Sequence, residues 1–107
     1  MTKVTVEPGI CGLTTEVTAE FADGLEVSIN VETACPHVAA MMAELGETFD
    51  PYGLCLAKPG EGPLYGYAAK HFPYHCGCPT IAGITKAVEA ECGLALPRDA
   101  HIRFGPR

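Results

Sequence analysis

Six cysteines and four histidines carry most of the chemistry available to this 107-residue chain, and their spacing is uneven. Cysteine is followed by proline twice, at Cys35-Pro36 and Cys78-Pro79, each time where an apolar run with helical spacing begins. The second pair lies in His75-Cys76-Gly77-Cys78-Pro79, which places two thiols and an imidazole within four residues. Proline suits the first helical position because its missing N–H is one of the donors a helix leaves unpaired anyway, so each cysteine reads as an N-cap. A thiol there faces the positive end of the helix dipole. That favours the thiolate, the form that binds metal or attacks an electrophile.

The remaining candidates extend this set. Cys35 follows an apolar alternating run and so stands at the end of a strand. Cys55 lies between Leu54 and Leu56 in a Pro/Gly-rich stretch, where a loop could carry a ligand over the helix starts. Cys11 sits in Pro8-Gly9-Ile10-Cys11-Gly12, and glycines on both sides of a thiol let the backbone approach an ion closely. The predicted metal ligands are therefore Cys35, Cys76 and Cys78, with Cys11, Cys55 or His75 completing the set. Cys92, beside Gly93, reads as a packing residue. His37 falls in an exposed first turn, and His71 and His101 have no evident partner, so His75 is the only histidine included.

The elements that must position these groups follow from periodicity. Lys3 to Val6 alternates and ends at Pro8-Gly9, which predicts a short strand. Leu13 to Phe21 is rich in Thr and Val. Asp23-Gly24 is a two-residue hairpin signal, and Leu25, Val27, Ile29 and Val31 then alternate with Glu26, Ser28, Asn30 and Glu32. An antiparallel hairpin with one buried and one wet face is expected. The period then changes to about 3.6, with Val38, Met41, Met42 and Leu45 on one stripe, predicting a helix from Pro36 to Leu45 that stops at Gly46. Residues 47–74 hold Pro51, Pro59, Pro63 and Pro73, which leaves room only for short elements such as a helix over Leu64 to His71. Ile81, Ile84, Ala87 and Val88 predict a second helix from Pro79 to Gly93. Ala100 to Phe104 alternates and reads as a last edge strand.

These elements describe one α+β domain over residues 1–107, with a three- to four-stranded antiparallel sheet and two principal helices on one face. The two helix starts, Cys35 to Met41 and Cys78 to Ile84, align, which would bring Cys35 and Cys78 together. A formal charge of −6 without any Lys/Arg cluster argues against nucleic acid as a partner, because such binding rests on basic neutralisation of phosphates. No apolar run approaches the ~20 residues of a membrane helix. The opening residues do not read as a secretory signal, so a cytoplasmic location is expected, where six cysteines imply metal or redox chemistry rather than a disulfide framework.

Residues 21 to 92 resemble the iron-sulfur cluster assembly scaffold of the IscU/NifU type. That family places a cysteine between a strand and a helix, a second in an irregular segment, and a third in a His-Cys pair that opens a long helix. Cys35, Cys55 and His75-Cys76 occupy those places, and Ala82 to Ala87 is similar to the alanine-rich start of that helix. The resemblance implies an iron-sulfur cluster as cofactor and a cluster donor or acceptor protein as partner. The chain departs from the pattern in Pro36-His37, where an acidic residue is usual, in its leading strand, and in the additional Cys11 and Cys78. The two Cys-Pro steps also resemble the TSCPD domain associated with ribonucleotide reductases. The Pro-Gly-Ile-Cys-Gly turn is similar to one in a family of small proteins without assigned function.

Three functions compete on these residues. The first is a cysteine-ligated metal or cluster protein, holding zinc, copper(I) or an iron-sulfur cluster, the species that thiolates select. The second is a thiol redox protein or sensor in which Cys35 or Cys78 attacks and Cys76 resolves. It ranks lower because Cys-x-Cys lacks the two intervening residues of thioredoxin-like motifs and no carboxylate is placed to orient His75. The third is an interaction module with packed cysteines and a solvated face of Glu26, Glu32, Glu44 and Glu47. No phosphate-binding glycine loop or nucleophile elbow points to hydrolase or kinase chemistry, and an enzyme is not the favoured reading.

Overall fold

The computed structural model describes residues 1–106. Four strands, β1 (Thr2–Val6), β2 (Thr15–Glu20), β3 (Val27–Thr33) and β4 (Thr48–Phe49), form one antiparallel sheet in the order β1-β2-β3-β4. Helices α1 (Pro36–Leu45), α2 (Pro51–Cys55), α3 (Gly62–His71) and α4 (Thr80–Glu91) complete an α+β fold. Alternation along the strands sends Val17, Ala19, Val27 and Ile29 inward and leaves Glu16, Glu20, Ser28 and Asn30 in water. The inward face carries α4 against β1 and β2 and α1 against β3. Val38, Met41, Ile84, Ala87 and Val88, all fully buried, join these strand residues in one core. No helix among the described residues is long and apolar enough to cross a membrane.

The β2–β3 connection differs from the two-residue hairpin that Asp23-Gly24 suggests. A two-residue turn would set Glu20 opposite Val27 and Thr18 opposite Ile29, pairing polar with apolar side chains along the whole ladder. The observed register instead sets Glu20 opposite Ser28, Ala19 opposite Ile29 and Val17 opposite Val31. Burial of one face outweighs local turn preference, because a one-residue slip would turn every side chain of a strand to the wrong side. Residues 21–26 become a longer loop, in which the Asp23 carboxylate accepts hydrogen bonds from the N–H groups of Leu25 and Glu26 at 2.9 and 3.1 Å. Leu25 lies outside the ladder and is exposed.

The fourth strand also differs from expectation. It is Thr48–Phe49, paired with Val27 and Ser28, whereas Ala100 to Phe104 has no strand partner and lies exposed. Phe49 is buried, and the Ile29 N–H donates to the Glu47 carbonyl at 2.7 Å. Core burial of Phe49 therefore holds this edge, while Ile102 and Phe104 of the tail stay in solvent.

The α4 helix stops where the sequence placed the stop. Gly93 takes a left-handed φ of 74°, and the Leu94 N–H returns to the Glu89 carbonyl at 2.8 Å, the arrangement by which glycine closes a helix. Near its start Gly83 lies directly over Val6. A Cβ at residue 83 would fall far inside contact distance of Val6 Cγ2, so glycine is what lets the helix backbone approach β1 this closely. At the other end, the Glu91 carboxylate accepts from the Thr2 hydroxyl at 2.7 Å and the Phe21 N–H at 3.1 Å and pairs with the Met1 amine at 3.3 Å. The helix thus runs antiparallel to β1, from Val6 at its start to Thr2 at its end.

Candidate functional site

That direction decides where the thiols meet. Val6 pairs with Thr15 and Thr15 with Thr33, so these residues mark one end of the sheet. The β1–β2 turn with Cys11, the β3–α1 junction with Cys35, and the segment His75 to Pro79 that precedes α4 all gather there. Cys35 caps α1 with extended backbone and Pro36 behind it, as the sequence implied, and its side chain makes no capping hydrogen bond. Its N–H donates to the Thr33 hydroxyl at 3.1 Å, and that hydroxyl is 2.7 Å from the fully buried Thr15 hydroxyl. These two threonines fix the turn that presents Cys35, a role that reading along the chain missed.

Cys78 is not the N-cap that its proline suggested. Pro79 itself holds that position, with φ −84° and ψ 0°, and α4 begins at Thr80. Proline can end up in the cap because its carbonyl still accepts the first helical bond, here from the Gly83 N–H at 3.0 Å. Cys78 is displaced one residue outward, where its Sγ lies 3.4 Å from the Thr80 hydroxyl.

Cys35 and Cys78 line a single small pocket of about 50 Å³ together with His37, His75, Val38, Phe72 and Pro73. Such a volume has room for an ion or a water or two, whereas organic ligands occupy sites of several hundred Å³. His37 joins the site through the helix start: it follows Cys35 by two residues, and its ring stands 6.0 Å from that of Phe72. Phe72 is wedged in turn against Tyr67 at 6.2 Å, which forms an aromatic wall behind the pocket. His37 would have been legible only to a reader who knew that Phe72 returns to α1. Cys76 is exposed beside the pocket, in a turn where the His75 ring folds back over Gly77. Cys11 is exposed on its own turn, closed by the Gly12 N–H on the Gly9 carbonyl at 3.0 Å. Among the described residues, no three Cys, His, Asp or Glu side chains converge closely enough to share one ion.

Cys55 lies elsewhere. It closes α2 instead of riding a loop over the helix starts, and its Sγ reaches the Thr85 carbonyl, in mid α4, at 4.0 Å. Burial, with Glu89 and Cys92 nearby, pushes its thiol up to about 11, so it stays protonated near neutrality. Cys92 also packs against the core, and its thiol is raised by burial and by Glu91. His71 rests on Tyr67 at 4.3 Å, outside the pocket, and His101 lies in the exposed tail. All six cysteines are free.

A second hollow, about 380 Å³ and open, covers the wet face of the sheet over Lys3, Thr5, Glu16, Thr18, Asn30 and Glu32. Its lining is mostly polar, and no thiol or imidazole is part of it.

Fold and site together define a small α+β protein that presents thiols and imidazoles from two helix starts at one end of a sheet. The chain belongs to DUF6951, a family of unknown function, which it matches over residues 2–104. No curated protein and no solved structure matches it.

Proposed function

We propose that the protein binds a thiophilic metal at the end of the sheet where α1 and α4 begin. The supporting observation is that Cys35, His37, His75 and Cys78 line one pocket. Two thiols and two imidazoles are a donor set suited to tetrahedral zinc, and a pocket of about 50 Å³ suits a single ion. Binding draws His75 and Cys78 inward by adjustment of the irregular segment 73–79, which carries Gly77 and no helix or strand of its own. An iron-sulfur cluster, as the likeness to the IscU/NifU scaffold implies, is the second reading. It is favoured by the exposed Cys11 and Cys76 at the same end, which would supply thiolates outside the pocket for a larger cofactor and for transfer to a partner protein. Free thiols in this number suit a reducing compartment such as the cytoplasm.

The test is anaerobic purification followed by analysis of zinc, copper, iron and acid-labile sulfide per chain, before and after reconstitution. Stoichiometric zinc lost in Cys35→Ser and in the Cys76→Ser/Cys78→Ser double variant supports the single-ion site. Iron with sulfide and a visible charge-transfer band supports the cluster. A reduced protein that takes up neither overturns metal binding, and a Cys35 to Cys78 disulfide formed on mild oxidation would then point to thiol redox.

A further inference from the structure

The segment after α4 presents an unmet pattern. Ala100 to Phe104 alternates apolar and polar residues, as a half-buried strand does, yet Ile102 and Phe104 are 84% and 88% exposed. Its charge is opposite to that of the body. Residues 1–97 hold twelve acidic side chains and four lysines, a formal −8, while residues 98–107 hold all three arginines and one aspartate, a formal +2. At the same time β1 ends the strand order, so its outer N–H and C=O groups have no strand beside them among the described residues. An open edge of this kind accepts an added strand, with main-chain hydrogen bonds giving affinity and alternate side chains giving specificity.

We infer that residues 100–104 of one chain add antiparallel to the free edge of β1 in a second copy, with Phe104 opposite Val4 and Ile102 opposite Val6. In this register Phe104 and Ile102 extend the inward face and cover Val4, which the single chain leaves half-buried. Arg103 falls beside Thr5, whose partner across the ladder is Glu16, and His101 falls beside Glu7. Gly105 faces Lys3, so no cation meets a cation. Pairing within one chain would have a different geometry. Contact between Glu91 and Thr2 starts the tail at the Thr2 end of β1, so a tail continuing directly along this edge would run parallel to it and, with Ile102 opposite Val4, set His101 against Lys3. The complementary register is the one a second copy supplies, and two such exchanges about a two-fold axis close a dimer.

The experiment is light scattering behind size exclusion on the full chain across a wide concentration range, at low and high salt, for the native protein and for Ile102→Asp/Phe104→Asp. Both side chains lie in solvent, so the variant keeps its fold. A dimer that dissociates on dilution and with salt, and on the order of 100-fold weaker association in the variant, is the expected result. A native mass that stays monomeric at every concentration overturns the inference, as does a dimer that the variant retains. The contact itself is read by adding a peptide of residues 94–106 to the isotope-labelled variant. Amide shifts concentrated at Thr2 to Val6 support the pairing, and shifts confined to other strands overturn it.

Discussion

Gly83→Ala tests the close approach of α4 to β1. Alanine improves intrinsic helix propensity by about 1 kcal/mol, so an isolated α4 would gain from the change. In the folded chain the new Cβ would overlap Val6 Cγ2 and stand 3.4 and 3.6 Å from Val6 Cβ and Cγ1. Valine is branched at Cβ and cannot swing one methyl away without leaving its rotamer well. The overlap is therefore relieved by moving α4 off β1, and the same helix carries Ile84, Ala87 and Val88 at 0% exposure. Overpacking of this kind costs about 1 to 3 kcal/mol, and opening the buried interface behind it puts this site at the upper end. After the helix gain is subtracted, a net loss of about 2 kcal/mol is expected, a fall of roughly 10 °C in Tm for a domain of this size. Urea titration monitored by circular dichroism measures it. Val6→Ala provides the internal control: it removes the clashing methyls, so Gly83→Ala made in that background should cost less than half as much, a coupling of about 1 kcal/mol. A Gly83→Ala protein as stable as the native one would refute the packing argument, and equal costs in both backgrounds would refute Val6 as its cause.

Other outcomes follow from the same contacts. Glu91 accepts hydrogen bonds from Thr2 and Phe21 and pairs with the Met1 amine, which holds its carboxyl below the ordinary value of 4.5. Its stabilisation is present above that value and lost as pH falls through the lower folded value, so Glu91→Gln should cost about 1 to 2 kcal/mol at pH 7 and flatten the acid limb of stability against pH. Thr33→Val leaves the Cys35 N–H and the buried Thr15 hydroxyl without their partner, and a loss of about 1 to 3 kcal/mol with disordering of the α1 start should appear in amide exchange. Alkylation at pH 8 should reach the exposed Cys11 and Cys76 first and Cys55 last, because a thiol near 11 is ionised only to about one part in a thousand there. Peptide mapping by mass spectrometry gives the order, and early labelling of Cys55 would contradict its burial on α4.

The sequence alone determined the fold class, the strand faces and the principal helices. It did so because a period of two along Val27, Ile29 and Val31, and one near 3.6 along Ile81, Ile84 and Val88, express burial that each segment needs wherever it packs. Gly93 and Cys35-Pro36 marked helix ends for reasons internal to the backbone. Tertiary structure decided what depended on two segments meeting. Glu20 faces Ser28, not Val27, because the common buried face of β2 and β3 outranks a local turn. Thr48-Phe49 became the fourth strand because Phe49 had a core to enter, whereas Ile102 and Phe104 of the alternating segment Ala100 to Phe104 stay in solvent. His37 entered the candidate site, and Cys55 left it, because Phe72 returns to α1 while α2 lies against the middle of α4. Spacing along a chain records which residues are near in sequence; a site is made by residues that are near in space, and that is settled by which faces must be buried together.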